Sequence, residues 1–393
     1  MALPGAGLWR LGNCPGLLDQ EIGTARMNFS LGNGGEPSEW CFAGSSCTIV
    51  ANAQRACRAI NNPLPIQMPV PLPLLTLLSD GRFHSGAALG AALGVTRSAV
   101  WKAVQVCTGH GIDIHSVRGK GYRLAQGLDL LQQDRIIKHL DAEARPLLRR
   151  LEIHHELDST SKQLLRRAGE GAESGTACLA EAQTGGRGRR GRHWVSPFGA
   201  NLYLSVLWRF AQGPAALSGL SLAIGVAVLE TVRALGIEGC GLKWPNDVLW
   251  SGRKLAGVLL DLTAEAGGPS TVVVGVGLNV RMPDSVAASI DQPWVDLRTL
   301  LPTALPTRNQ ITALLLGRVL AALSEFEREG LAAFQARWAH GDCLAGRSVS
   351  LQLPTQCLTG RARGIDATGA LLLETEGKLR AYAAGEVSVR ASV

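Results

Sequence analysis

The chain has 393 residues, 46% hydrophobic and 18% charged, which is too apolar for a mostly disordered chain and long enough for about two or three domains. The net charge is +7 from 39 Lys+Arg against 32 Asp+Glu, a moderate excess whose position matters more than its size. Nine cysteines with no C-x-x-C pair indicate neither a disulfide framework nor a zinc cluster, and fit a reducing cytoplasm.

Residues 1–67 hold four of the nine cysteines, many glycines and no sustained periodicity. Arg10 is not followed by the apolar run of a signal peptide. The segment is expected to be disordered or a non-native extension.

Residues 68–130 read as one helical unit ending in a hairpin. Leu72, Leu74, Leu75 and Leu78 give a first helix that stops at Asp80-Gly81. Ser85 caps a second through Leu93, and Gly94-Val95 is a turn. Thr96 caps a third, Arg97 to about Cys107, with Val100, Val104 and Cys107 on one face. Ile112 to His115 alternates as a strand, and Arg118-Gly-Lys-Gly121 turns it back into Tyr122-Arg-Leu124. This order is that of a winged helix-turn-helix. From Arg82 to Arg123 there are six Lys/Arg and one acid, Asp113. A basic third helix and a basic wing tip suit phosphates on both sides of a groove. The candidate DNA-binding residues are Ser85, Gly86, Thr96, Arg97, Ser98, Trp101, Lys102, Gln105, Arg118 and Lys120. A small helical domain for protein contacts is the plainer alternative.

Residues 135–342 mix strands and helices as an α+β domain. Leu202–Trp208 is a strand, residues 217–236 a core helix, Val272–Val280 a buried strand carrying Gly275 and Gly277, and Asn309–Glu329 a long amphipathic helix. Phe210 to Leu229 has no charge, but Gly213-Pro214 and the helical spacing of Leu217, Leu220, Ile224 and Val228 favour a core helix over a membrane span. Residues 343–393 read as short alternating strands of a small β-barrel, with turns at Asp366–Gly369 and Glu376-Gly377.

Three motifs carry chemistry. Gly186–Trp194, GRGRRGRHW, packs Arg187, Arg189, Arg190 and Arg192 among glycines. Glycines let a backbone approach a ligand and arginines grip phosphate or carboxylate in two-pronged fashion. Alone it could equally be a solvated basic loop, but Trp194, Pro197 and Phe198 embed it in core-forming sequence. No G-x-x-x-x-G-K-[ST] occurs, so a P-loop is not supported. Lys243-Trp-Pro-Asn-Asp247 fixes a lysine beside Trp244 and Pro245, with Asn246 and Asp247 free to bind a ligand or a metal; a strand-end turn is the plainer reading. Asp158-Ser-Thr-Ser161 offers three hydroxyls at what could also be a helix N-cap.

In chain order, Ser159-Thr160, Glu181-Ala-Gln183, GRGRRGRHW, SPFGANLYLS (196–205), KWPNDV (243–248), GRKLAGVLLD (252–261) and GVGLNV (275–280) resemble the bacterial biotin protein ligases. With the winged unit in front, the chain from about Val70 to Ser388 is similar to the bifunctional form that is also the biotin operon repressor. The resemblance implies a ligase domain like that of class II aminoacyl-tRNA synthetases and an SH3-like C-terminal barrel. It also implies ATP, Mg²⁺ and biotin as cofactors and substrate, with biotin activated to biotinyl-5′-AMP and passed to a lysine of biotin carboxyl carrier protein, the acetyl-CoA carboxylase subunit. It implies operator DNA as a partner, a homodimer when adenylate-bound, a cytoplasmic location and no membrane.

Under that resemblance Ser159, Thr160, Ser161 and Gln183 line the biotin pocket. Arg187, Gly188, Arg189 and Lys243 hold biotin's carboxyl end and the α-phosphate, with Lys243, Arg187 and Arg189 as the catalytic cations. Arg187, Arg190, Arg192, Trp194, Asn246 and Asn279 face the nucleotide, and Asp247 is the candidate Mg²⁺ ligand. The family usually has Asn where Ser161 stands. A lipoate-type ligase and a non-catalytic ligand-sensing DNA-binding regulator are the alternatives.

Overall fold

A computed structural model describes residues 70–125, 128–264, 268–353, 356–383 and 388–391; the expectation for residues 1–67 lies outside them. Helix α1 (Leu72–Leu78) buries Leu74, Leu75 and Leu78. Helix α2 (Gly86–Leu93) is capped by Ser85, whose Oγ accepts from Ala88 N at 3.0 Å, and ends on left-handed Gly94. Helix α3 (Arg97–Gly109) starts on Thr96, whose Oγ1 accepts from Ala99 N at 3.3 Å, and buries Val100, Val104 and Cys107. Strands β1 (Ile114–Val117) and β2 (Gly121–Leu124) form the wing, with Ile114 opposite Leu124. The wing strand begins at Ile114 rather than Ile112. Helix α3 runs on to Gly109, and the Ile112 N–H closes its end by donating to Cys107 O (3.0 Å) past left-handed Gly111.

After α4 (Gln133–His139) comes a seven-stranded sheet in the order β3-β4-β5-β9-β8-β7-β6. Strand β3 (Arg150–Leu157), helix α5 (Thr160–Gly169) and β4 (Thr176–Gln183) form a parallel pair and its crossover. The other strands are antiparallel: β5 (Leu202–Phe210), β6 (Cys240–Lys243), β7 (Asp247–Trp250), β8 (Arg253–Ala264) and β9 (Ser270–Leu278).

Helix α6 (Leu220–Ala234), short α7 (Asp284–Ala287) and α8 (Leu297–Leu300), long α9 (Arg308–Glu329) and α10 (Ala332–Gly341) complete this part. Helix α9 opens with a capping box between Thr307 and Gln310. The apolar run Pro214–Ala234, long enough to cross a membrane, is packed into the core.

Strand residues alternate between faces, and this alternation makes the site. Leu204, Val206, Val272, Val274 and Val276 join α6 and α9 in the main core, while Leu207 and Val273 pack with Leu164 of α5 on the opposite face. Ser205, Gly275 and Gly277 share that second face by spacing, so the strands that are Val-rich on one side are small or polar on the other. Among the described residues the main core gathers 55 buried apolar side chains, of which each fully buried Val, Leu, Ile or Phe contributes about 1.5–3 kcal/mol.

The C-terminal unit is a five-stranded antiparallel sheet of β10 (Ser348–Gln352), β11 (Cys357–Ile365), β12 (Leu371–Thr375), β13 (Lys378–Tyr382) and β14 (Ser388–Ala391), the last strand returning beside β10. It shares one hydrophobic cluster with the large sheet, and Trp244 Nε1 donates to Gly369 O at 3.0 Å.

Candidate active site and nucleic-acid interface

A cleft of about 820 Å³ opens over the second face of the sheet. Its floor is bare because glycines make it so. A Cβ on Gly277 would lie 2.4 Å from the Trp194 ring, one on Gly257 3.1 Å from it, and one on Gly275 2.8 Å from Ser161 Oγ. Trp194 therefore lies against β8 and β9, with Lys254 Nζ 5.2 Å from its ring centre.

At one end sits a closed set of hydroxyls and an amide. Gln183 Oε1 accepts from Thr160 N (2.9 Å) and Oγ1 (3.1 Å), and its Nε2 donates to Ser196 Oγ at 3.1 Å. Ser205 Oγ is 2.8 Å from Thr160 Oγ1 and 3.1 Å from Ser161 Oγ. Ser159, Thr160 and Ser161 are all buried. Ser159 occupies the N-cap position of α5 but its side chain makes no capping bond. The cap reading of Asp158–Ser161 thus fails for the hydroxyl, and the three side chains face the cleft.

The arginine loop folds back on itself. Gly188 N donates to Arg192 O (2.7 Å), Trp194 N donates to Gly186 O (2.9 Å), and left-handed Arg190 and Gly191 make the turn. A Cβ on Gly186 would meet Trp194 O at 2.4 Å. Arg187 Nη2 pairs with Asp261 Oδ2 at 2.6 Å. Arg189 Nη1 donates to Asn246 Oδ1 at 3.5 Å, and Asn246 Nδ2 donates to Val258 O at 2.7 Å. Arg190 and Arg192 lie at the exposed outer edge. Burial lowers the Arg189 guanidinium pKa, with Asp247 opposing and Arg190 and Arg192 adding to the shift. Burial likewise lowers the Lys243 ammonium, against the pull of Asp247. The site is a desolvated cationic pocket, in which charge is costly until an anion arrives.

Asp247 Oδ1 pairs with Lys254 Nζ at 2.8 Å. A Mg²⁺ ion wants a near-octahedral oxygen shell. Asp247, already paired and set among Lys243, Lys254 and Arg189, does not supply one. Asn279 lines the cleft, but its Nδ2 donates to Lys254 O (3.3 Å) and Val295 O (3.1 Å). It braces the strand beneath the cleft rather than offering that donor to a nucleotide.

Lys254, Asp261, Ser196 and Ser205 were not singled out from sequence, although Lys254 and Asp261 stand inside GRKLAGVLLD. Ile290 and Trp294, on a segment that also lines the cleft, gave no signal at all. Away from the cleft, ligand atoms of Glu152, His154 and Cys178 lie within 4.8 Å of one another. Arg150 and Arg167 occupy Glu152 at 3.0 and 3.2 Å, and burial pushes the Cys178 thiol up to about 12, so this trio is poorly prepared for a metal.

In the winged unit, Arg97, Ser98, Trp101, Lys102 and Gln105 are exposed on α3, and Arg118 and Lys120 are exposed at the wing turn. The Ser85 and Thr96 side-chain oxygens are engaged as helix caps. Gly86 is not on that surface. It is buried, and a Cβ there would lie 3.2 Å from Arg97 Cγ. The wing is held by paired backbone bonds between His84 and Tyr122 (2.8 and 2.9 Å), and only glycine fits at Gly121, where a Cβ would lie 2.0 Å from His84 O.

The sheet and its cleft are those of a biotin or lipoate protein ligase. The model of the biotin/lipoate A/B protein ligase family matches residues 156–279, that of the biotin protein ligase C-terminal domain residues 345–390, and that of an HTH domain residues 73–123. The chain is 45% identical over 323 residues to the bifunctional ligase/repressor BirA of Salmonella typhimurium, covering 82% of this chain and 98% of that protein. It is 43% identical to the Escherichia coli protein of the same name, with the same coverage. It is similar to the solved biotin protein ligase from Aquifex aeolicus in complex with biotin and ATP, at 29% identity and TM-score 0.54, over 62% of this chain and 100% of that one. The chain belongs to the BirA family of bifunctional biotin ligase/repressors.

Proposed function

We propose that this chain activates biotin with ATP and transfers it to a lysine of biotin carboxyl carrier protein, and that its winged unit represses transcription by binding operator DNA. The observation that carries the reading is the gathering of Arg187, Arg189 and Lys243 around one cleft that the Ser159–Gln183 hydroxyl pocket and Trp194 also line.

A biotin carboxylate oxygen attacks the α-phosphorus of ATP. The bond to the β-phosphate oxygen breaks and pyrophosphate leaves. The acceptor lysine, as a free amine, then attacks the acyl carbon of biotinyl-5′-AMP and AMP departs. Both reactants of the first step are anions, so the cations must offset their repulsion and the charge that grows on the phosphorus oxygens. Lys243 and Arg189, desolvated before the substrates arrive, act more strongly there than they would in water. Arg187 must exchange its partner Asp261 for the ligand or hold both.

Thr160, Ser161 and Gln183 suit the polar head of biotin. Trp194, Asn246, Arg190 and Arg192 suit the nucleotide side, with Asn279 bracing it. When bound, Mg²⁺ neutralises phosphate charge. With Asp247 already paired to Lys254, no protein ligand and no step are assigned to it.

The proposed units are 68–130 for DNA binding, 135–342 for catalysis and 343–393 for the C-terminal sheet. The adenylate-bound protein is proposed to dimerise, so that two winged units reach two half-sites. The cysteines among the described residues are free, which suits a cytoplasmic setting. The test is incubation of the purified chain with ATP, biotin and the biotin-accepting domain of an acetyl-CoA carboxylase carrier subunit. Biotin must appear on one lysine, and lipoate in its place must give no product.

A further inference from the structure

Among the described residues, five large hydrophobic side chains are exposed, and three of them belong to the winged unit: Val95 (45%), Trp101 (53%) and Val117 (40%). They fall on the turn before α3, on α3 itself and at the start of the wing turn. Trp101 matters most. Ser98, Trp101, Lys102 and Gln105 lie at spacings of three, four and seven along α3, on the face opposite buried Val100, Val104 and Cys107. An indole half in water keeps about half of its burial energy unrealised and available to a partner.

The surroundings select the partner. Arg97 and Lys102 flank the indole on α3, Arg118 and Lys120 are exposed on the wing, and neither 97–109 nor 114–124 contains an acid. Such a face repels basic surfaces and attracts a polyanion. In the major groove of a duplex the apolar feature is the 5-methyl group of thymine. We propose that Trp101 is a specificity-determining residue of the DNA-binding face, packing its ring against a thymine methyl in each half-site, while Arg97 and Lys102 bind the flanking phosphates.

This rests on the DNA-binding part of the proposed function, and the experiment separates the two. The full chain, with biotin and ATP, is used to enrich binders from a random-sequence duplex pool long enough for two half-sites. Each thymine of the strongest duplex is then replaced by uracil, which keeps every hydrogen-bonding group and removes only the methyl. The wild-type chain is expected to lose about fourfold in affinity at one thymine per half-site, what burial of one methyl contributes. Trp101→Ala is expected to bind the thymine and uracil duplexes alike. Lys102→Ala is expected to bind both more weakly while keeping their ratio, which shows that a folded, weakened variant does not imitate the loss.

Equal binding of thymine and uracil duplexes by the wild-type chain would overturn the proposal. So would a uracil penalty that persists in Trp101→Ala, or a Trp101→Ala variant that changes only self-association in sedimentation, which would make the face a protein contact. Failure to enrich any duplex would overturn both this assignment and the DNA-binding reading on which it rests.

Discussion

His110 Nδ1 lies 3.3 Å from Glu156 Oε2, and this pair joins the end of α3 to the strand that leads into the Ser159–Ser161 pocket. The next residue, Gly111, faces two segments that neighbour cleft-lining residues. A Cβ there would lie 3.3 Å from Val286 and 3.7 Å from Pro197. Ala182 and Phe198, which bracket the arginine loop, are both buried in the hydrophobic cluster of the winged unit. The helix expected to touch DNA thus ends against the stems of the ligand loops. Glu156→Gln is expected to weaken biotin binding by about fivefold, the value of one partly buried polar pair, with kcat unchanged. Calorimetric titration of biotin checks this; an unchanged Kd would show that the pair is only structural glue.

Lys243→Ala is expected to lower the rate of adenylate formation by about 10²–10³, with thermal unfolding close to that of the parent chain. Burial lowers the Lys243 pKa, so its positive charge is lost as pH rises through a value below that of an exposed lysine. Anion binding weakens along that limb. The folded protein itself gains stability over the same limb, because the buried group then carries no charge. Lys243→Arg, which stays charged, is expected to shift the alkaline limb of the rate profile upward. Identical limbs in the two proteins would remove Lys243 from the reacting centre.

Arg189→Gly removes the loop's link to Asn246 and one cation over the adenylate. The intermediate is expected to escape and acylate lysines of bystander proteins, read as biotin on added serum albumin. Labelling restricted to the carrier lysine would mean that the loop does not retain the adenylate.

Two glycines separate the two activities. Gly277→Ala drives a methyl into the Trp194 ring and is expected to weaken nucleotide binding by about five- to 150-fold, from the overpacking cost of about 1–3 kcal/mol, with DNA contacts intact. Gly121→Ala collides with His84 O at a positive φ of 100°. It is expected to displace the wing and lose duplex binding in a mobility-shift assay while the chain still ligates biotin. Loss of both activities in both variants would contradict the separation.

The parts of the fold that were legible in the sequence are those governed by local rules. Ser85 and Thr96 cap their helices as read, and the Val-rich strand with Gly275 and Gly277 is buried as read, although only the register explains why those glycines alternate toward the cleft. Partners distant in sequence were not legible. Asp261 reaches Arg187, and Ser205 reaches Thr160, only because sheet pairing brings them there. Gly86 was misread because a cap-adjacent glycine looks exposed until the wing and Arg97 close over it. Trp294 sits on an aperiodic segment that nothing local distinguishes.

The first step of the proposed reaction joins biotin to AMP in this cleft. Exchange of labelled pyrophosphate into ATP measures that step without carrier protein or DNA. Exchange is predicted with biotin, with none above background when lipoate or no acid is supplied. Exchange that is independent of biotin, or equal with lipoate, would contradict the account.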